Sequence, residues 1–174
     1  MLLSKEIIVS TTIPQTPTQG TPPKPKSPAG AESPGADNDI SDAAASAEAL
    51  WARFFARQQI TDAKTDGAGG CALQLGELRC VVRCLGDDGL LQVQLHVLTL
   101  PKAPAARGSL CEALMVQATD LCEGDVLGID TVEDAVVYQR LLSLDDLDTG
   151  ELTESLWDMA DAVADLQTTL PKPV

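Results

Sequence analysis

Aromatic side chains make up only 3% of this chain of 174 residues: two Trp, two Phe and one Tyr. Basic side chains are also few, 12 Lys and Arg against 26 Asp and Glu, and the formal charge is −14. A nucleic-acid binder needs a basic stripe and stacking rings, so both shortages argue against that class. No run of eighteen apolar residues occurs, which argues against a membrane-spanning helix. Met1-Leu2-Leu3 and Ile7-Ile8-Val9 are separated by Lys5 and Glu6, too short a pair of runs for a signal-peptide core. With one histidine, His96, a zinc site or a Ser-His-Asp site has almost no material to use. The five cysteines, Cys71, Cys80, Cys84, Cys111 and Cys122, include no C-x-x-C pair and are odd in number. Reduced thiols acting as small buried hydrophobes are expected, with no metal and no cofactor.

Proline is missing between Gly35 and Leu100, whereas residues 1–40 hold seven of the eleven prolines among many Thr, Ser and Gly. Such a segment cannot bury enough apolar surface to offset its ordering entropy. Residues 1–40 are therefore expected to be a disordered Pro-rich tail that folding does not need, and 41–174 a single domain. A docked Ile7–Val9 would be the exception. Charge is uneven too: from Ser109 onward there are fifteen acidic side chains against Arg140 and Lys172.

Within the domain, residues 41–59 read as a helix, with Ala43, Ala47, Leu50, Phe54 and Arg57 on one stripe and Trp51 and Phe55 beside it. Strands follow at Cys71–Leu75, Arg79–Leu85 and Leu90–Leu98, the last two joined by Gly86-Asp87-Asp88-Gly89, which has hairpin chemistry. Leu91, Val93, Leu95 and Val97 alternate with Gln92, Gln94 and His96, the pattern of an antiparallel sheet covered on one face. Ser109 and Glu112 have capping-box spacing, so a second helix is expected over Leu110–Cys122. Its two adjoining apolar stripes exceed what one sheet covers. Strands at Asp125–Asp130 and Ala135–Leu142 come next, and then a helix from Gly150 to Thr168 with Asp148 and Glu151 at cap spacing. The order is α-β-β-β-α-β-β-α: an α+β fold with a twisted, mostly antiparallel five-stranded sheet and three helices.

No catalytic constellation emerges. Gly67-Ala68-Gly69-Gly70-Cys71-Ala72 fits G-x-G-x-x-A, but it runs from a helix into a strand, whereas a dinucleotide site needs strand, turn and helix N-terminus. A flexible loop is the better reading. Asp145, Asp146, Asp148 and Glu151 lack calcium-loop spacing and read as a solvated helix start. Val81, Leu90, Leu98, Val136, Tyr138 and Leu142 interrupt the polar side of the sheet; scattered or gathered into grooves are equally open readings.

From about Ala47 to Leu170 the chain resembles the class I type III secretion chaperones, the Tir-chaperone family of Gram-negative bacteria. The resemblance rests on Asp125–Leu147, DVLGIDTVEDAVVYQRLLSLDDL, and on the Leu78–Leu95 hairpin, together with the order and spacing of the elements. It implies a cytoplasmic bacterial homodimer without enzymatic activity, which binds the extended N-terminal region of a secreted effector and keeps it soluble and secretion-competent. It also implies dimerisation through the second helix, at Leu110, Leu114, Met115, Ala118 and Leu121, and admits the secretion ATPase as a further partner. Neither nucleic acid nor membrane is expected as a partner. Cargo grooves are expected beside Phe54 and Phe55 and around Val136 and Tyr138, taking the latter pair to lie opposite a core face of Ala135, Val137 and Leu141. The Pro-rich tail departs from the family pattern. An acidic regulator of secretion acting through protein contacts, or a small enzyme with an unrecognised site, is the alternative.

Overall fold

The computed structural model describes residues 7–9, 36–86 and 88–171. Its elements are β1 (Ile7–Val9), α1 (Ala36–Gln58), β2 (Cys71–Leu75), β3 (Leu78–Leu85), β4 (Leu90–Thr99), α2 (Pro104–Gln117), β5 (Asp125–Asp130), β6 (Ala135–Ser143) and α3 (Thr149–Thr169). All strand pairs are antiparallel, in the order β1-β2-β3-β4-β6-β5. The fold is the expected α+β one, with six strands in place of five.

The sixth strand is β1. Ile7, Ile8 and Val9 pair with Leu75, Gln74 and Leu73. Within 1–40, expected as a disordered tail, Ile7–Val9 thus form a strand and α1 begins five residues before Ser41, at Ala36. An I-I-V run has strong β propensity whatever the composition around it. Residues 10–35 lie outside the described residues.

The covered face of the sheet carries Leu73, Leu75, Cys80, Val82, Leu91, Val93 and Leu95, all buried. Helix α1 sets Ala47, Leu50, Trp51 and Phe54 into the same core, and α3 adds Leu152, Leu156, Met159, Val163 and Leu166. Three of the five aromatics sit on α1 as one cluster: Trp51 stacks on Phe55 at 5.6 Å, and Phe54 meets Trp51 edge-on at 5.7 Å. Adjacent Phe residues point about 100° apart, and both are buried because α1 touches α3 as well as β3. Arg57 and Gln58 hold that junction through the hydroxyls of Thr149 and Thr153.

Helix α2 starts at Pro104, not at a Ser109–Glu112 capping box. Proline at the first helical position loses only an N–H that had no partner anyway, so it opens the helix earlier than the hydroxyl would. The helix ends at Gln117 in a 3-10 turn, Ala118–Asp120, short of Cys122. By contrast α3 opens as expected: the Asp148 carboxylate accepts from Glu151 N at 2.9 Å, while Glu151 accepts from Asp148 N at 3.2 Å. In β4 the pairing register shifts between His96 and Leu98, and the Val97 carbonyl accepts from Gln167 of α3 at 2.7 Å.

The glycine-rich stretch, expected as a flexible loop, is instead fitted against α1. The Trp51 indole N–H donates to the Gly69 carbonyl at 2.8 Å, and Glu48 accepts from Thr65 Oγ1 and Gly69 N. Gly69 has φ +82°, and a Cβ there would lie 2.7 Å from that of Ala47. Gly69→Ala therefore combines a left-handed residue with an overpacked helix contact. It should lower stability by about 2–4 kcal/mol, read as a fall in the urea midpoint, with the neighbouring control Ala68→Gly changing much less.

Candidate functional site

The expected site residues fall into two groups. Phe54, Phe55, Val136 and Tyr138 are buried. Tyr138 lies opposite Leu95, so it and Val136 are on the covered face, and Leu141 is exposed on the other. This corrects the expected orientation of β6. Its sequence is apolar on both faces, so alternation does not tell them apart; the tie to β4 and to Asp125 does. Of the six interrupting residues, only Val81 and Leu90 remain on the face carrying Gln92 and Gln94, while Leu98 and Leu142 pack against the core. No groove of those six forms.

The residues expected at a dimer interface divide along α2. Leu110 and Leu114 point inward and are buried, Leu121 is half-buried, and Met115 and Ala118 face outward. Met115 is 73% exposed, and Val116 beside it 62%. Between α2 and β5 lies a shallow groove of about 350 Å³ lined by Cys111, Leu114, Met115, Ala118, Leu127, Gly128 and Ile129. No carboxylate or basic side chain lines it, in a chain where 22% of residues are charged.

Beneath the same region is a polar network that sequence reading missed. The Asp125 side chain, fully buried, accepts from Arg140 Nε at 2.5 Å, from Arg140 Nη2 at 2.8 Å and from the Tyr138 hydroxyl at 2.5 Å. Arg140 Nη1 also donates to Ser155 Oγ of α3 at 3.1 Å. One carboxylate thus ties the edge strand β5 to β6, and through Arg140 to α3. Burial works to raise the Asp125 carboxyl, but the hydrogen bonds and charge of Arg140 with the Tyr138 bond outweigh it and hold it below its ordinary range. Burial and the same carboxylate push the Tyr138 phenol up. The lone Arg in the acidic C-terminal third was the available signal.

The opposite face carries a second array: Arg83 donates to Gln94, and Gln94 to Asp130. Asp130 is held below its usual range first by the backbone N–H of Glu133, against a burial effect that raises it, with Val132, Gln94 and Arg83 helping. Arg79 and Glu133 form a two-pronged pair at 2.7 and 3.1 Å that latches the β5–β6 turn over β3. His96 is half-buried on that face. Burial pushes the Cys80 thiol up to about 12, and that of Cys71 well above its ordinary value, so both behave as small hydrophobes. Among the described residues no group of His, Cys, Asp and Glu is placed to hold a metal, and no helix is long and apolar enough to cross a membrane.

No family model and no curated protein matches the sequence. Solved structures do match by shape. A chain of the HopA1–SchA chaperone–effector complex is similar over 71% of this chain and 94% of its own, at 13% identity and a TM-score of 0.55. A chain of the ExsC–ExsE complex is similar over 74% and 96%, at 16% identity and a TM-score of 0.59. A chain from the structure of the Yersinia pestis type III secretion chaperone SycH with a stable fragment of YscM2 is similar over 69% and 98%, at 15% identity and a TM-score of 0.50. The fold is that of type III secretion chaperones.

Breaking the Asp125 network should be costly. Asp125→Asn leaves the Arg140 guanidinium without its counter-charge and should remove about 3 kcal/mol. The pH dependence has a definite sign. The folded carboxyl titrates below its unfolded value, so its contribution is complete above about pH 5 and is lost as pH falls through the folded value. Melting temperature should therefore be level from pH 7 to 5 and drop below about pH 4, with a shallower drop in Asp125→Asn; equal slopes would show that Asp125 is not the linked group.

Proposed function

We propose that the protein is a homodimeric secretion chaperone that holds the N-terminal segment of a type III effector in extended form, soluble and ready for export. The observation that carries this reading is the groove between α2 and β5, whose lining holds no charged side chain, set in a fold shared with chains from chaperone–effector complexes. A charge-poor patch on so acidic a chain is what a buried interface requires.

A second copy is the occupant that fits this patch. Met115 and Val116 form a ridge, and the groove beside them is floored by Leu114 and Leu127. Ridge and groove lie side by side, so a two-fold axis places each ridge in the partner's groove, as a self-complementary interface demands. Leu110 and Leu114 then support the interface from below, and Met115, Ala118 and Leu121 contact the partner. The effector segment adds as a strand at a sheet edge left outside this interface. Phe54, Phe55, Val136 and Tyr138 lie too deep to touch cargo in the free protomer. The work is done in the bacterial cytoplasm without chemistry, and delivery to the secretion ATPase is the step that follows.

Met115→Asp should convert a dimer into a monomer with unchanged circular dichroism, because the side chain is exposed in the single chain. Light scattering at micromolar concentration reads the change; a monomeric unsubstituted protein would sink the dimer. For cargo, co-expression with a type III effector encoded beside the gene should yield a co-purifying complex in which limited proteolysis spares the effector's N-terminal segment. An effector that stays soluble alone and never co-purifies would remove the chaperone reading.

A further inference from the structure

We infer that Ile7–Val9 is a built-in occupant of the β2 edge, held there in the free protein and displaced when an incoming extended segment adds to the same edge. The inference rests on the chaperone reading only for the identity of the displacing segment, an effector strand.

Topology separates β1 from the rest of the sheet. Strands β2, β3 and β4 follow one another with two- and four-residue connections, whereas 26 residues, 10–35, lie between β1 and α1. Its partner β2 comes only after α1 and the fitted glycine loop. Among the described residues the strand spans Ile7–Val9 and pairs with Leu73–Leu75 of β2 alone. Thr65 bridges to Cys71 at the other end of β2. Ile7 packs against the rim of the core, whereas Ile8 is 54% exposed. So short a strand, with one described anchor, belongs among the segments that open first. The connection nonetheless keeps it at high effective concentration beside the edge.

The edge beneath it is not one that a protein leaves bare. Without β1, the outward N–H and C=O groups of Leu73–Leu75 would be unpaired at the rim of two core leucines, a template for association with any strand. A resident that is weak but always near closes the edge to casual partners and yields to a better one. The chemistry of a better one follows from the register. It is an extended segment with apolar residues two apart, opposite Leu75 and Leu73, and a polar or exposed residue between them opposite Gln74. A longer strand gains hydrogen bonds that three residues cannot.

The test uses the full chain and, as probe, a fluorescent peptide copying residues 3–12. Ile7→Asp should free the edge, binding the peptide at least tenfold more tightly than the unsubstituted chain, with circular dichroism and melting temperature unchanged. Ile8→Asp, at the exposed position, should behave as the unsubstituted chain does. Equal peptide affinity in the Ile7→Asp and unsubstituted chains overturns the proposal, as does a melting temperature that falls as far as for a core substitution. A second measurement is independent of that variant's folding. Ile8→Cys with Gln74→Cys places two thiols at directly paired positions, and the oxidised protein should bind neither peptide nor effector until reduced. Effector capture by the oxidised form overturns the displacement. If the peptide results hold but no effector binds any form, the chaperone reading fails and the occupied edge stands.

Discussion

A sheet built from Leu73, Val82, Leu91, Val93, Leu95 and Tyr138 on one side needs that side kept from water, and most of the molecule follows from this need. Two helices span most of it. Because α1 carries three bulky rings within five residues, it must contact α3 and the glycine loop as well as β3, and Gly69 has no Cβ because Ala47 already occupies that space. The helices then reach from β2 to β4, which leaves the β5 end to α2. That helix is too short and too slightly inserted to finish the cover, and an apolar groove remains beside it.

The two sheet edges are managed by opposite means. At β5 a buried carboxylate is fastened to Arg140 and Tyr138, so the strand is committed: releasing it would bare a charge already paired in the interior. At β2 the cover is three residues joined to the domain by a long connection. The first device suits permanent structure, and the second suits the exchange proposed for the β2 edge. Stability is therefore distributed unevenly across one continuous sheet.

Legibility in the sequence tracked how local each determinant was. The alternation in Leu90–Leu98, the cap at Asp148 and the stripe of Leu152, Leu156, Met159, Val163 and Leu166 depend on neighbours a few residues away, and each was readable. The start of α2 differs from the sequence expectation because two local signals compete, and Pro104 precedes Ser109. The facing of strand β6 is not legible because Ala135–Leu142 offers apolar residues to both faces, and a contact with Asp125 decides between them. The Asp125–Arg140–Ser155 chain spans three elements and has no short-range signature. Strand β1 was hidden by its surroundings: three β-branched residues in a Thr- and Pro-rich stretch acquire a structure only when an edge is supplied from 64 or more residues away. Of the α2 interface, the width of the apolar face was legible, but not the division between inward and outward stripes.

Charge bears on how the two proposed surfaces would admit a partner. The acidic side chains of α3, Glu151, Glu154, Asp158, Asp161 and Asp165, all face outward, and the net charge of −14 opposes the approach of a second copy. That opposition fades beyond about 10 Å at 0.1 M salt, whereas apolar burial acts only at contact. The proposed association is therefore favoured where charge is locally absent, and the α2–β5 groove, with no charged side chain in its lining, is such a place. The same reasoning gives an extended partner a preference. A segment bearing basic residues outside its apolar pair would be drawn toward the acidic surface before contact, and only its apolar side chains would then need to reach Leu73 and Leu75.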